Sequence, residues 1–429
     1  METDPGAASG RRVAGWRWEA PQVTAVSEQE RRAGEELARH LLDIGVLTPE
    51  WAEALRAVPR SLFLPDPFWA YDMATSLSVP VFRNDDLARW ARAAYENVPL
   101  VTQWDDGQHT GDKPGSKATS SASMPSVVVS MLRDLELSDG MRVLEVGTGT
   151  GWNAGLLAHR LGNGNVVSVE IDPAVAASAS AALTRAGLGP RLVEGDGREG
   201  WPVGAPYDRV IVTAGVRNFP AKWLEQTRPG GIILAPWGTH YSHQDGLVRL
   251  AVGEDGRAVG PFVRLVEFMK LRDQRLDWNL FGGHVKEFPG NAEGSRTSLT
   301  LADIGSRYDA ADFVVGLCVP DCAHVVNVGD SGEEGDAKAW FFDFLSQSWA
   351  AVVFSPGAPD ATVYQSGPRR LWDEVEQALT WWISQGRPAV DRFGLTVDRD
   401  GTTRPWLDTP VGVLPSFGDD RPRNARAGL

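Results

Sequence analysis

The stretch Arg142-Val-Leu-Glu-Val-Gly-Thr-Gly-Thr-Gly151, followed by Trp152-Asn-Ala-Gly-Leu-Leu-Ala158, leaves a chain few ways to fold. An apolar run carries an acid near its end, glycines recur at every second position, and an apolar pattern of helical spacing begins at once. That order predicts a buried parallel strand, a tight loop and a helix. Gly147, Gly149 and Gly151 allow positive φ and close approach of backbone to a ligand, and the helix start turns unpaired N–H groups toward it.

A Gly-x-Gly-x-x-Gly spacing would point to a dinucleotide pyrophosphate, but here the spacing is Glu-x-Gly-x-Gly-x-Gly. An ionised Glu145 repels phosphate and can receive the ammonium and amide donors around an amino-acid-bearing cofactor, so the loop reads as a site for S-adenosylmethionine (SAM). Further strands are expected at 165–172, 191–196, 207–213 and 231–235, with helices at 173–186 and 219–226 between them. Alternation at this spacing means an α/β fold, a doubly wound Rossmann-like parallel sheet with ligand at the strand C-termini. Residues 248–252 and 263–270 are expected to add antiparallel edge strands. Glu170, with Ile171 beside it, ends the second strand where a carboxylate can accept both ribose hydroxyls. Asp196, with Gly197 beside it, stands where the adenine amino group would lie. Gly147, Thr148, Gly149 and Gly151 complete the expected cofactor set.

Around this core the chain divides by pattern. Residues 1–26, with Trp16 and Trp18, are expected to be a flexible arm. Residues 27–118 read as an N-terminal helical, substrate-side region, with Ser27 capping one helix and Pro49 opening another. Within it, the polar Gly-rich stretch 104–118 reads as a mobile loop. Residues 119–274 form the cofactor domain, and 126–132 a helix capped by Ser123 or Ser126. Residues 275–415 are expected as a separate α+β domain, with strands at 312–319, 350–355 and 362–364 and helices at 337–345 and 367–385. Residues 416–429 read as a tail.

Composition excludes some partners. With 56 acidic against 42 basic residues the net charge is −14, and no Lys/Arg run exceeds two, so nucleic acid is not an expected partner. No apolar run approaches a membrane span, and the N-terminus lacks the basic and apolar regions of a signal peptide, so a cytoplasmic protein is expected. Cys318, Cys322 and His324 supply too few ligands for a metal, and none is expected.

The joint set Ala57-Val-Pro-Arg60, Ala94-Tyr-Glu-Asn-Val-Pro-Leu100, Ala118-Thr-Ser-Ser-Ala-Ser123, Val143-Leu-Glu-Val-Gly-Thr-Gly-Thr-Gly-Trp-Asn153, Glu194-Gly-Asp-Gly197, Ala205-Pro-Tyr-Asp-Arg209 and Pro229-Gly-Gly231 resembles the protein-L-isoaspartate O-methyltransferase family, in that family's order. The resemblance covers about residues 50–270 and implies a SAM-dependent methyltransferase of side-chain carboxylates. It implies that the hydroxyl motif before the glycine loop holds the carboxylate, making Ser121 and Thr119 the expected catalytic positions. Ser120, Met124, Thr213 and Ala214 are the expected substrate side. A carboxylate is ionised at neutral pH and needs no general base, only in-line placement and release from its water shell. Met124 stands where relatives often carry a polar residue or histidine. The long N-terminal region, the insert 104–118 and the C-terminal domain are further departures. The layout is similar to actinobacterial members that accompany ribosomally made peptide natural products, including lanthipeptides, lasso peptides and ATP-grasp-crosslinked peptides. That similarity implies an aspartate of a cyclised precursor as acceptor, leading through succinimide to isoaspartate, with residues 275–415 gripping the peptide. Repair of isoaspartyl proteins is the alternative, and a non-catalytic SAM-binding subunit a third reading.

Overall fold

In a computed structural model, the structure describes residues 26–72, 75, 77–305, 308–327 and 336–418. The expected arm and most of the expected tail therefore lie outside the described residues. Helices α1 (Glu28–Asp43) and α2 (Pro49–Ala57) open the described chain, and Ser27 caps α1 in a capping box with Glu30. A four-stranded antiparallel sheet follows, built from β1 (Phe68–Asp72), β2 (Leu77–Val81), β3 (Leu100–Trp104) and β4 (Ala118–Ala122) in the order β2-β1-β3-β4. Helix α3 (Leu87–Tyr95) precedes β3, and α4 (Pro125–Asp134) follows β4.

The glycine stretch produces the expected strand, loop and helix: β5 (Val143–Val146), then α5 (Trp152–Leu161). Next come β6 (Val166–Glu170), α6 (Pro173–Arg185), β7 (Arg191–Glu194), β8 (Tyr207–Val212), α7 (Ala221–Gln226) and β9 (Thr227–Trp237). Strands β9, β8, β5, β6 and β7 lie parallel in that order, so the winding reverses at β5. In open parallel sheets ligands bind outside the strand C-termini at such a reversal, which is where the glycine loop sits. This is the expected doubly wound α/β sheet.

Strands β10 (Asp245–Val252) and β11 (Ala258–Val266) pair antiparallel as expected, but they do not form the edge. Beyond them the chain builds α8 (Leu301–Ile304), α9 (Ala310–Cys318), α10 (Leu371–Ser384) and an antiparallel sheet of β12 (Glu293–Thr297), β13 (Cys322–Asn327), β14 (Ala337–Asp343), β15 (Trp349–Phe354) and β16 (Ala361–Ser366). It then returns as β17 (Phe393–Val397), which pairs onto β11, and β18 (Thr403–Leu407), which pairs onto β17, bringing the central sheet to nine strands. The segment expected as one C-terminal unit thus supplies strands to two sheets.

Alternation along the central strands explains this arrangement. Leu144, Val210, Val212 and Ile233 face one core, shared with α7, α9, α10 and the five-stranded sheet. Val143, Ile211 and Leu234 face another, shared with α1 to α5. Strands covered on both faces read as continuous apolar runs, as these do. Two elements reverse their expected type. Residues 312–319, expected as a strand, lie mostly in α9, which is buried along nearly its whole length and capped by Asp309 accepting from the Ala311 N–H at 2.8 Å. A helix buried all round has no stripe, and its short apolar run mimics a strand. Residues 337–345, expected as a helix, lie mostly in β14, whose burial alternates strictly. No helix among the described residues is long and apolar enough to cross a membrane.

Candidate active site

The C-terminal ends of β5, β6 and β8 open into one cavity of about 970 Å³, with the hydroxyl strand β4 forming its other wall. Every expected site residue lines it except Gly151: Ser121, Thr119, Ser120, Met124, Glu145, Gly147, Thr148, Gly149, Glu170, Ile171, Asp196, Gly197, Thr213 and Ala214. Gly151 instead N-caps α5, and a Cβ there would meet the Ala179 Cβ at 3.1 Å.

The loop conformation requires its glycines. Gly147, Gly149 and Gly151 have φ of 91°, 54° and 87°. A Cβ on Gly147 would stand 2.8 Å from Thr213 Oγ1, which itself donates to the Gly147 carbonyl at 2.5 Å. The loop is tied to β6 by Glu170, whose Oε2 accepts from the Gly149 N–H at 2.9 Å and whose Oε1 accepts from the Asp172 N–H at 3.1 Å. A carboxylate has about four acceptor positions, so both oxygens keep capacity for hydroxyl donors.

Glu145 is fully buried. It accepts from Asn153 Nδ2 at 2.6 Å and from Ser168 Oγ, and Ser168 Oγ also meets Thr148 Oγ1 at 2.6 Å. Burial pushes its carboxyl up to about 7 against the lowering by Ser168 and Asn153, and the neighbouring Glu170 charge adds to the rise. A cationic group in the cavity would favour the ionised form. Asn153 Oδ1 is buried without a partner among the described residues. Asp196 is engaged by Arg198, with separations of 2.6 to 3.2 Å, and Arg198 reaches on to Asp273 at 2.6 Å. The Arg198 hydrogen bonds hold the Asp196 carboxyl below its usual range.

Each hydroxyl of β4 has a different situation. Thr119 Oγ1 donates to Gln103 Oε1 at 2.8 Å and accepts from the Asp106 N–H at 3.1 Å. Ser120 Oγ accepts from Thr102 Oγ1 at 3.3 Å. The Ser121 hydroxyl has no partner among the described residues, while its backbone pairs with Val101. Neither Ser123 nor Ser126 caps α4. Met124 is the N-cap and makes no side-chain cap, and Asn97 Oδ1 takes the Ser126 N–H at 2.9 Å. The turn after β4 is held by Arg60, buried at 1% exposure, whose guanidinium donates to the carbonyls of Ala94 (2.9 Å), Glu96 (3.2 Å), Val98 (3.2 Å), Ala122 (3.2 Å) and Ser123 (3.0 Å).

The insert 104–118 is anchored to its surroundings. Asp105 accepts from the Ser116 and Lys117 N–H groups at 3.0 and 2.7 Å, and Trp69 Nε1 donates to the Asp112 carbonyl at 2.8 Å. Asp106 pairs with Arg275 at 2.9 Å and Arg272 at 3.2 Å, and Arg272 also reaches Asp172 at 3.1 Å. Asp172, which caps α6, takes Gln103 Nε2 at 3.2 Å as well. Sequence reasoning missed Asn153, Gln103, Asp172, Arg272 and Arg275. Only Asp172 carried a local signal, an acid before Pro173 at a helix start.

The reversal of winding, the three left-handed glycines and the acids at successive strand ends define the class as that of Rossmann-like SAM-dependent methyltransferase folds. The family model described as protein-L-isoaspartate(D-aspartate) O-methyltransferase matches residues 83–276. A protein of that name from Hyperthermus butylicus is 32% identical over 272 residues, covering 60% of this chain and 98% of the relative. Protein-L-isoaspartate O-methyltransferase 1 of Rhodopseudomonas palustris is 34% identical over 225 residues, covering 52% and 74%. The chain belongs to the protein-L-isoaspartate O-methyltransferase family. The Pyrococcus horikoshii relative is 42% identical over 135 residues, 31% of this chain, and the match spans 60% of its length. A solved structure titled protein-L-isoaspartate O-methyltransferase aligns with TM-score 0.48 at 23% identity, covering 88% of this chain and all of that one.

Proposed function

We propose that this protein is a SAM-dependent carboxyl O-methyltransferase that esterifies an isoaspartyl carboxylate in a protein or peptide, in the cytoplasm. The observation that carries the reading is the unpartnered hydroxyl of Ser121 in the same cavity as the glycine loop. A loop with room for close backbone approach, an orphaned Asn153 Oδ1 and a buried Glu145 that a cation would ionise all fit the cofactor. When bound, SAM supplies an electrophilic methyl on sulfonium.

The chain's own residues then hold the two reactants in place. Glu145 and Asn153 receive the amino-acid end, and Glu170, Ile171, Asp196 and Gly197 receive the nucleoside. Ser121 donates to one carboxylate oxygen of the acceptor and leaves the other directed at the methyl. Thr119, already committed to Gln103 and Asp106, fixes the strand that presents Ser121, and Ser120, Met124, Thr213 and Ala214 bound the peptide side. The walls strip water from an oxygen that is already anionic, so no proton need move before attack. The methyl ester can expel methanol where a carboxylate has no comparable leaving group, so the neighbouring backbone amide nitrogen can attack the ester carbonyl, lose its proton and close a succinimide as methanol departs.

The relatives' names favour isoaspartyl repair over an aspartate of a cyclised precursor as the leading reading. The precursor reading keeps one supporting observation: Trp278, Tyr308 and His324, all beyond the residues matched by the family model, line the cavity and can restrict which peptide enters. Methyl transfer to an isoaspartyl peptide, its aspartyl twin and a cyclised precursor separates these. Transfer to the isoaspartyl peptide supports repair, and transfer confined to the precursor supports the tailoring reading. Tight SAM binding with no transfer to any of the three would sink both.

A further inference from the structure

The hydroxyl strand is joined to the cofactor end of the cavity by a closed ring of polar contacts, and one neutral side chain makes the crossing. Gln103, on β3, donates from Nε2 to Asp172 Oδ2 at 3.2 Å and accepts at Oε1 from Thr119 Oγ1 at 2.8 Å. Thr119 Oγ1 accepts in turn from the Asp106 N–H at 3.1 Å, the Asp106 carboxylate meets Arg272 at 3.2 Å, and Arg272 returns to Asp172 at 3.1 Å. Asp172 is bonded onward through its own N–H to Glu170 Oε1 at 3.1 Å, and Glu170 Oε2 holds the Gly149 N–H. One run of hydrogen bonds thus leads from the glycine loop through Glu170, Asp172 and Gln103 to Thr119, two positions before Ser121 on the same strand.

The backbone is shaped around Gln103. The pairing of β3 with β4 slips on both sides of it: Val101 faces Ser121, Gln103 faces Ser120 and Trp104 faces Ala118, so Thr102 is extra on one strand and Thr119 on the other. Bulges of this kind re-aim side chains beside active sites. Gly107, at φ 81°, passes so close that a Cβ there would stand 3.2 Å from Gln103 Nε2. Charge fixes which way the amide points. The Asp172 carboxyl is held below its ordinary value, because burial pushes it up but hydrogen bonds from the Val175 N–H, Gln103, Arg272 and the Ala174 N–H outweigh that. Turning the amide over would set Oε1 against this anion, so Nε2 stays on Asp172 and Oε1 on Thr119.

We propose that Gln103 is a positioning residue that carries cofactor occupancy to the hydroxyl strand. Ribose hydroxyls donating to Glu170 fix its carboxylate, and hydrogen bonds in series strengthen one another, so the run through Asp172 and Gln103 tightens on Thr119 and β4 presents Ser121 in one place. Its bearing on methyl transfer rests on the reading of Ser121 as the donor to the acceptor carboxylate. The relay itself involves only the cofactor site and the strand, and is measured without an acceptor.

The test is hydrogen exchange on the full chain with and without saturating S-adenosylhomocysteine, read separately over the glycine loop and over β4. In wild type the ligand is expected to slow exchange in both, by about fivefold or more over β4, the low end of ordinary coupling between sites. Gln103→Leu, which removes both amide bonds, and Thr119→Val, which removes the next link, should keep the protection of the loop and show about twofold or less over β4. Thr119→Ser retains the hydroxyl and should retain the full effect. If Gln103 merely braces the strand, β4 exchanges faster in the variants with and without ligand alike and the slowing by ligand stays intact. That result, or wild-type protection confined to the loop, overturns the relay. Methyl transfer to an isoaspartyl peptide is scored alongside: protection of β4 through Gln103 without transfer supports the relay and defeats only the catalytic reading.

Discussion

The carbonyl oxygen of Ser121 lies 3.5 Å from the point where a Cβ on Gly149 would stand. The hydroxyl strand and the cofactor loop therefore share a boundary, and a carboxylate held by Ser121 is necessarily beside whatever the glycines cradle. Strand β4 comes from the antiparallel N-terminal sheet and Gly149 from the parallel one, so the site exists only where the two meet.

Ser121→Ala should lower methyl transfer about tenfold or more, the loss expected of one charge-assisted hydrogen bond. SAM affinity and melting temperature should hold, because the hydroxyl has no partner among the described residues. Thr119→Ala is the contrast: it loses Gln103 and the Asp106 N–H and should lower both transfer and melting temperature. Calorimetry and initial rates on the two variants decide it. A Ser121→Ala protein as destabilised as Thr119→Ala would make Ser121 structural.

Glu145 should make stability fall as pH rises. Burial raises its folded pKa to about 7, above the ordinary carboxyl value of 4.5. Its contribution is complete below the unfolded pKa, declines as the unfolded chain ionises while the fold stays protonated, and is lost above about 7. Urea unfolding without cofactor should show wild type losing about 2 kcal/mol relative to Glu145→Gln between pH 5.5 and 7.5. Parallel curves for the two proteins would mean that Glu145 is ionised throughout. Because a bound cation favours the carboxylate, SAM binding near pH 6.5 should release protons.

Arg60→Met should cost about 3–5 kcal/mol, since the five carbonyls it bonds lie in partly or fully buried surroundings and lose their donors together. Denaturant titration measures this, and a loss under about 1 kcal/mol would show the guanidinium to be dispensable.

Arg272→Gln combined with Arg275→Gln should loosen the insert 104–118, freeing Asp106 and leaving Asp172 with Gln103 and the start of α6. Hydrogen exchange in that segment should rise while the central strands stay protected. Unchanged exchange would mean that Asp105, Trp69 and Thr119 hold the insert without the two arginines.

Much of the site was legible because its parts are local. Glu145 and Glu170 lie at strand ends, and the glycines and Asp196 come just past one, and a periodic run ending in Gly or acid is readable from one sequence. What could not be read is long-range. Arg60 reaches Ser123, and Asp106 reaches Arg275, across separations that leave no local trace. The hydroxyls of Ser123 and Ser126 offer a local cap, yet Asn97, from the loop before β3, takes the Ser126 N–H. Helix α9 and β14 were exchanged because full burial erases the helical stripe, and Trp-Phe-Phe in β14 hides its alternation.

The most direct test of the central claim is transfer of a labelled methyl group from SAM to an isoaspartyl peptide, followed by mild base. A carboxyl ester releases the label as volatile methanol, so the account predicts base-labile label in the wild-type product and a loss of about tenfold or more in Ser121→Ala. Label that resists base, or equal base-labile transfer by both proteins, would contradict it.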